Sequence, residues 1–406
     1  MDLNYEGKKS VEAVLNETPK ATCEVVTTIG DEKDCVNRLY LGDNLPILRA
    51  LCDDSAIRGK VQLVYIDPPY ASNQTFKHRK RLDAHAYDDS LAGADYIEFI
   101  RQRLILLREL LASDGAIYVH LDSNMAFHVK VIMDEIFGEG NFRNWITRQK
   151  CHSKNYTAKQ YGNVADYILF YSKSAEMKWH RPYEKENKYT FEQRFPKVDP
   201  KTGRRYALVP IHAPGVRNGE TGKPWRGLMP PLGKHWQVRP SELDRLDAQG
   251  EIYWSPTGNP RRKVFAENDK GVPVHDIWTK FMDFRNQNMK DTGYPTEKNA
   301  ALLKRIIEAS SSPGDMVLDC FCGSGTTVAV AGELGRRWIG IDVGALSIET
   351  TAERLKSKPK QLEVADAPML FDTHDDNGHP FTAIHSYRLF RTAKLAAPKR
   401  KGVPKS

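Results

Sequence analysis

An apolar run of strand length, Val61-Gln-Leu-Val-Tyr-Ile66, stops abruptly at Asp67-Pro-Pro-Tyr70. Two prolines fix φ and remove two backbone donors, so nearby carbonyls stay available to face a site. Asp67 adds a carboxylate acceptor, and Tyr70 a flat face on which a ring can stack. Together they suit an amino group whose lone pair is delocalised into an aromatic ring, which makes it a poor nucleophile. Two acceptors, the Asp67 carboxylate and a carbonyl such as that of Pro68, would draw the amino hydrogens out of the ring plane. If the ring is a nucleobase, the nucleotide must first leave the duplex, and stacking on Tyr70 would help hold it there. The bland alternative is a rigid strand-ending turn, since Asp-Pro and Pro-Pro are common turn dipeptides.

A second constellation lies far along the chain. Asp319-Cys-Phe-Cys-Gly-Ser-Gly-Thr-Thr327 is a Gly-rich turn between an apolar strand and a helix. Gly323 and Gly325 let the backbone approach a ligand that a side chain would exclude. Asp342 ends the next strand about 20 residues on, where a carboxylate can bind ribose hydroxyls. Val328 stands where the third glycine of a dinucleotide fingerprint would be. This argues against NAD and for an adenosine-containing cofactor with no pyrophosphate to cradle. Read blandly, the glycines only permit tight packing.

The elements that must position these residues alternate between strand and helix. Strands are expected at Arg38–Leu41, Val61–Ile66, Ala116–Leu121, Tyr167–Tyr171, Met316–Asp319 and Trp338–Ile341. Helices are expected around Leu45–Leu51, from Asp95 to Gly115, and over Ala126–Phe137, Glu297–Ala309, Thr326–Leu334 and Ile348–Leu355. Such alternation predicts an α/β fold with a parallel sheet, whose ligands sit at the carboxyl ends of the strands. Both constellations lie at such ends. Residues 1–36 show no period and read as an appended arm. Residues 71–93 are polar and basic, and residues from 372 onward read as a disordered basic tail.

Composition sets the outer bounds. The chain has 406 residues, 40% hydrophobic and 28% charged, an ordinary globular composition. No apolar run reaches membrane-spanning length and Met1–Lys20 is polar, so a soluble cytoplasmic protein is expected. The net charge is +8 and the pI about 9.0, which suits a polyanionic partner. Of six cysteines only Cys320 and Cys322 lie close together, a poor zinc signature, so no metal is expected and these two read as small buried residues.

The two constellations in this order resemble the DNA amino-methyltransferases of the β class, adenine N6 or cytosine N4 enzymes of the restriction-modification type. In that family the Asp-Pro-Pro-Tyr half precedes a target-recognition region and the cofactor turn comes last. Gly42-Asp43-Asn44, Gly293-Tyr-Pro-Thr-Glu-Lys298 and Trp338-Ile-Gly-Ile-Asp342 resemble further family segments, so the resemblance covers roughly residues 37–357. It implies a Rossmann-like S-adenosylmethionine-dependent methyltransferase fold, circularly permuted, with an inserted target-recognition domain. The implied parts are an arm over 1–36, a catalytic half over 37–174, a recognition region over 175–290, a cofactor half over 291–371 and a tail over 372–406.

Residue by residue, the resemblance assigns catalysis to Asp67, Pro68, Pro69 and Tyr70, and S-adenosylmethionine binding to Asp319, Phe321, Gly323, Gly325 and Asp342. Thr326 and Lys298 would hold the methionine carboxylate, with Thr296 in the same segment and Asp43 toward the adenine edge. Where many relatives carry Pro, this chain has Cys320. The implied substrate is double-stranded DNA, with adenine N6 as the target because Asp at position 67 is commoner among adenine enzymes and Ser among cytosine N4 enzymes. Any nuclease activity would belong to a separate restriction endonuclease, and a homodimer is left open.

The region 175–290 mixes Trp179, Trp225, Trp236, Trp254 and Trp278 with Arg217, Arg226, Arg239, Arg261, Arg262 and Lys263, a combination able to grip phosphates and bases. Most of these tryptophans are expected to be structural. His78, Arg79, Lys80 and Arg81 are expected phosphate contacts on a loop closing over the base, or a solvated charge run. Three rivals stay open: cytosine N4 methylation, methylation of RNA or of a protein amide, and a non-catalytic DNA-binding module. Cytosine C5 methylation needs a Cys nucleophile, typically after Pro, and no Pro-Cys pair exists here.

Overall fold

The computed structural model describes residues 2–30, 36–69, 93–152, 159–283, 297–356 and 386–393, with the backbone of a short hairpin at 75–77 and 85–88. The described chain divides into two compact units, the smaller running from Tyr183 to Pro273.

In the larger unit, β-branched and aromatic runs build a ten-stranded sheet. In chain order its strands are β1 (Cys23–Ile29), β2 (Asn37–Leu41), β3 (Val61–Ile66), β4 (Leu111–Leu121) and β5 (Phe142–Gln149), followed by β6 (Ala165–Ser172), β7 (Ile277–Trp278), β8 (Met316–Asp319), β9 (Arg337–Asp342) and β10 (Tyr387–Thr392). They lie side by side in the order β1-β10-β2-β9-β8-β3-β4-β6-β5-β7. The six strands from β10 to β4 are mutually parallel. Strand β6 runs antiparallel to both β4 and β5, and β1 antiparallel to β10. The sheet is therefore mixed rather than wholly parallel.

Alternate residues of the central strands feed two cores. Val61, Val64 and Ile66 face one with Asn44–Leu51, Gly93–Leu110 and Ala126–Phe137 (α2, α3 and α4), while Val11–Glu17 (α1) contributes Val14. Leu63 and Tyr65 face the other with Ala300–Ser310, Thr326–Glu333 and Ala345–Lys356 (α5, α6 and α7). Helices cover both faces, which is why all six residues of β3 are buried and why it reads as a continuous apolar run. Side-chain oxygens cap the amide groups at the starts of α1, α2 and α5, from Ser10, Asp43 and Asn299.

Both ends of the chain depart from the sequence expectation. The arm carries helix α1 and strand β1, and Tyr5 donates to Glu98 at 2.6 Å while Lys8 pairs with Glu135 at 2.8 Å. The segment read as a disordered tail contains β10, which pairs with β1 on one side and β2 on the other. Neither strand shows clean alternation, because both lie near the sheet edge where burial is partial.

The smaller unit has a four-stranded antiparallel sheet, ordered Lys197–Val198, Arg205–Pro210, Pro260–Phe265, Ile252–Trp254. Helix Pro240–Ala248 joins Ile211, Trp225, Trp236 and Ile252 in its core. Trp225 stacks on Trp254 at 5.2 Å and meets Trp236 edge-on at 6.3 Å, so three of the five tryptophans are structural here. Trp278 lies in β7 of the larger unit, outside the smaller one, as do residues 175–182 and 274–283 of the stretch read from sequence as one region.

Candidate active site

Neighbouring parallel strands deliver the two constellations to the same edge of the sheet. Strands β3 and β8 are paired through Val64 and Leu318, so Asp67 leaves the sheet beside the turn that Asp319 opens. On the other flank of β8, Asp319 pairs with Gly340 of β9, and Asp342 of β9 pairs with Leu41 of β2. Gly42 and Asp43 follow that strand. Beside β8 the chain continues to β9 on one side and meets β3 on the other, the kind of position where α/β sheets open a crevice.

The Gly-rich turn is locked from several directions. The Asp319 carboxylate accepts the Phe321 N–H at 3.0 Å, and the Cys322 carbonyl accepts the Gly325 N–H at 2.7 Å. Gly323 and Gly325 sit at φ of 52° and 74°, in the left-handed region. A Cβ on Gly325 would stand 2.6 Å from the Thr351 side chain. Asp342 accepts the Gly323 N–H at 2.9 Å and the Gly344 N–H at 2.8 Å. Ser347 and the Val343 N–H also bond this carboxylate, which fixes it at the turn where a ribose hydroxyl would meet it. A close-approach backbone, the buried start of α6 at Thr326 and a carboxylate across the turn fit an adenosine-bearing amino-acid cofactor. Cys320 and Cys322 are buried and their thiols are held well above the ordinary range by burial.

Residues that sequence reasoning missed support the turn from α2 and α3. Asn44 donates to the Cys320 carbonyl at 2.6 Å and accepts from Arg103 Nε at 2.5 Å. Arg103 also pairs with Asp43 at 3.0 Å, and its guanidinium lies 3.5 Å from the centre of the Phe99 ring. Phe99 in turn lies 6.0 Å from Phe321. Burial lowers the Arg103 pKa to about 10, and the Asp43 charge opposes that fall. Asp43, a candidate for the adenine edge, thus caps α2 and holds Arg103.

On the catalytic side, Lys298 Nζ lies 3.0 Å from Asp67 Oδ2. Burial alone would lower the Lys298 pKa, but the carboxylates of Asp67, Asp283 and Asp166 outweigh it and hold the ammonium above its ordinary value. Read from the sequence as a partner for the methionine carboxylate, Lys298 here engages the Asp67 carboxylate. Pro68 is buried beside it.

A further network lies behind. His120 Nδ1 is 2.8 Å from the Tyr65 hydroxyl, and its Nε2 is 3.2 Å from Asp166. Asp166, held as a carboxylate, can only accept, so Nε2 carries the ring proton toward it and Nδ1 accepts from the Tyr65 hydroxyl. His120 is lowered by burial and by the Lys298 charge. Asp166 also meets Arg148 at 3.1 Å and Lys150 at 2.9 Å, and Arg148 reaches Asp283. Asp166 itself is held far below the usual carboxylate range, because hydrogen bonding and nearby cations overcome burial. None of these residues forms a motif, and the pairing of β3, β4, β6 and β5 brings them together.

Tyr70, Thr296 and His78–Arg81 lie outside the described residues. Among the described residues, no group of three or more His, Cys, Asp or Glu could hold a metal ion, and no helix is long and apolar enough to cross a membrane.

Comparison with known proteins bears on this geometry. A family model described as DNA methylase matches residues 61–353. The Type II methyltransferase M.EcaI of Enterobacter cloacae is 46% identical over 354 residues, covering 87% of this chain and 77% of that protein. The Type III restriction-modification enzyme StyLTI Mod subunit of Salmonella typhimurium is 28% identical, over 79% of this chain and 52% of that subunit, so the chain spans about half of its length. A crystal structure of an M1.HpyAVI–SAM complex aligns with a TM-score of 0.42 at 16% identity, covering 79% of this chain and 99% of that one.

Proposed function

Since the chain belongs to the DNA methylase family, we propose that it moves a methyl group from S-adenosylmethionine to N6 of an adenine turned out of duplex DNA. The observation that carries this reading is the adjacency of Asp67 and the Gly-rich turn on paired strands β3 and β8. The turn from Asp319 to Thr326, with Asp342 across from it, would hold S-adenosylmethionine, and Phe321 would lie against it. When bound, that molecule supplies a methyl group activated by its sulfonium.

The chain's own residues supply the rest. Asp67 and the Pro68 carbonyl accept the amino hydrogens, draw them out of the ring plane and return the lone pair to nitrogen. Lys298 orients the Asp67 carboxylate. Preorganised acceptors of this kind act where charge develops and cost no reorganisation during the reaction. Tyr70 stacks on the extruded base. The adenine assignment rests on the Asp at position 67, which the resemblance associates with adenine rather than cytosine N4.

The smaller unit is the candidate target-recognition module. Over Tyr183–Pro273 it carries 17 Lys and Arg against 11 Asp and Glu, so a net +6 of the chain's +8 falls in this one segment. Cations so concentrated favour contact with phosphates. The restriction-modification names of the relatives support a place beside a separate endonuclease.

Expression in a host that lacks DNA methylation, followed by digestion of its DNA to nucleosides and mass spectrometry, tests the reading. N6-methyladenine is expected from the wild type, and at least a hundredfold less from Asp67→Asn, which keeps the side-chain shape. N4-methylcytosine instead would overturn the base assignment and leave the chemistry standing. Methyl groups in RNA and none in DNA would overturn the substrate class.

A further inference from the structure

Within the smaller unit, strands His212–Pro214 and Lys234–Trp236 pair antiparallel, and the chain between them forms a projecting loop. Its returning limb, Gly227-Leu-Met-Pro-Pro-Leu-Gly233, is apolar but lies in solvent: Leu232 is fully exposed, Met229 is 64% exposed, and Val216 at the loop's start is 74% exposed. Isolated apolar side chains on a surface are common, but three large ones gathered on one loop mark a contact surface.

This limb is held in shape rather than left slack. Trp225, buried in the unit's core, exchanges backbone hydrogen bonds with Leu228 at 2.8 and 2.9 Å. Lys234 N–H donates to the Pro231 carbonyl and Gly215 N–H to that of Gly233, both at 2.9 Å. Gly227 and Gly233 turn the chain at φ of 78° and 75°, and Pro230 and Pro231 fix two torsions between them. Lys234 follows this limb directly, and Arg217 lies two residues past Gly215, whose N–H meets Gly233; both cations are exposed.

We propose that Met229 and Leu232 form an apolar wedge that enters double-stranded DNA and parts a base step while the flanking cations hold phosphates. The charge balance of the unit selects this partner, since a net +6 surface attracts a polyanion, and the interior of a base stack is the apolar part of that polyanion. The proposal rests on the assignment of DNA as the substrate.

Its test uses the full chain, bulk genomic DNA from a methylation-free host, and a closed circular plasmid relaxed by topoisomerase in the protein's presence. Met229→Ser/Leu232→Ser should melt at the wild-type temperature and keep the wild-type slope of log affinity against log salt, because phosphate contacts persist. It should lose at least tenfold in methyl transfer and most of the plasmid's change in linking number. Leu232→Phe, still apolar, should retain both. A double serine variant that unwinds the plasmid and methylates like the wild type overturns the wedge. So does sedimentation showing that the serines split a dimer, which would make this limb a contact between copies. If the wild type methylates no DNA at all, the proposed function fails, whereas the unwinding measurement still reads the wedge by itself.

Discussion

Asp319 is the carboxylate whose surroundings most oppose its charge. Burial, with help from the Asp67 and Asp342 charges, pushes its pKa from 3.8 up to about 7, against the Thr327 hydroxyl and the Phe321 N–H, which favour the anion. In the unfolded chain it would titrate near the ordinary value, so between the two values the folded protein holds a proton that the unfolded one has released. Stability from this residue is then full below pH ~4 and is lost as pH rises toward ~7. Asp319→Asn keeps an acceptor for the Phe321 N–H and removes the titration. Urea midpoints of the two proteins should therefore diverge in favour of the variant between pH ~4 and pH ~7. A constant difference across that range would show that Asp319 does not titrate there. At this scale the sequence was informative where chemistry is local: Asp67 next to two prolines, and the glycines of the turn. It was silent on Arg103, His120 and Asp166, and named Asn44 only within a family segment, because the partners of all four lie on other strands and helices. It also offered no sign that Lys298 would meet Asp67, because that pair joins segments remote in sequence.

Among the elements, the turn into α6 is the most constrained. Gly325 sits in the left-handed region and faces Thr351 of α7. Gly325→Ala should destabilise through two separable effects, a backbone cost of about 1–2 kcal/mol and a clash with Thr351. In a double-mutant cycle by chemical denaturation, Thr351→Ala should relieve the second and leave the first. Independent, additive losses would mean that the two helices do not meet as described. The helices and central strands were legible because a residue buried on both faces, or along one helical face, must be apolar. Val61–Ile66, Ala126–Phe137 and Met316–Asp319 coincide with their sequence expectations. Strands β1, β5 and β10 went unread because partial exposure leaves no period to detect.

For the whole molecule, the smaller unit is inserted between two residues of the larger one that are hydrogen-bonded to each other. The Val274 N–H donates to the Pro182 carbonyl at 3.0 Å, so the larger unit's chain nearly closes on itself where the smaller one leaves it. Replacing Tyr183–Pro273 with a short glycine linker should leave a cooperatively folding protein that binds S-adenosylmethionine in calorimetry but methylates no specific site. Retained site-specific methylation would take target recognition away from the smaller unit. The same sheet has a consequence in time. Strand β8 lies between β3 and β9, yet about 250 residues separate the end of β3 from the start of β8, and β2 has β10 on its other side. At ribosomal rates of roughly 5–20 residues per second, Asp67 would wait on the order of 10–50 s for its neighbouring strand. Until then β3, apolar on both faces, has an unpaired edge, and contacts so distant in sequence form slowly. Through that interval the nascent chain carries an exposed apolar strand edge, and the site at Asp67 is complete only once the later strands have arrived.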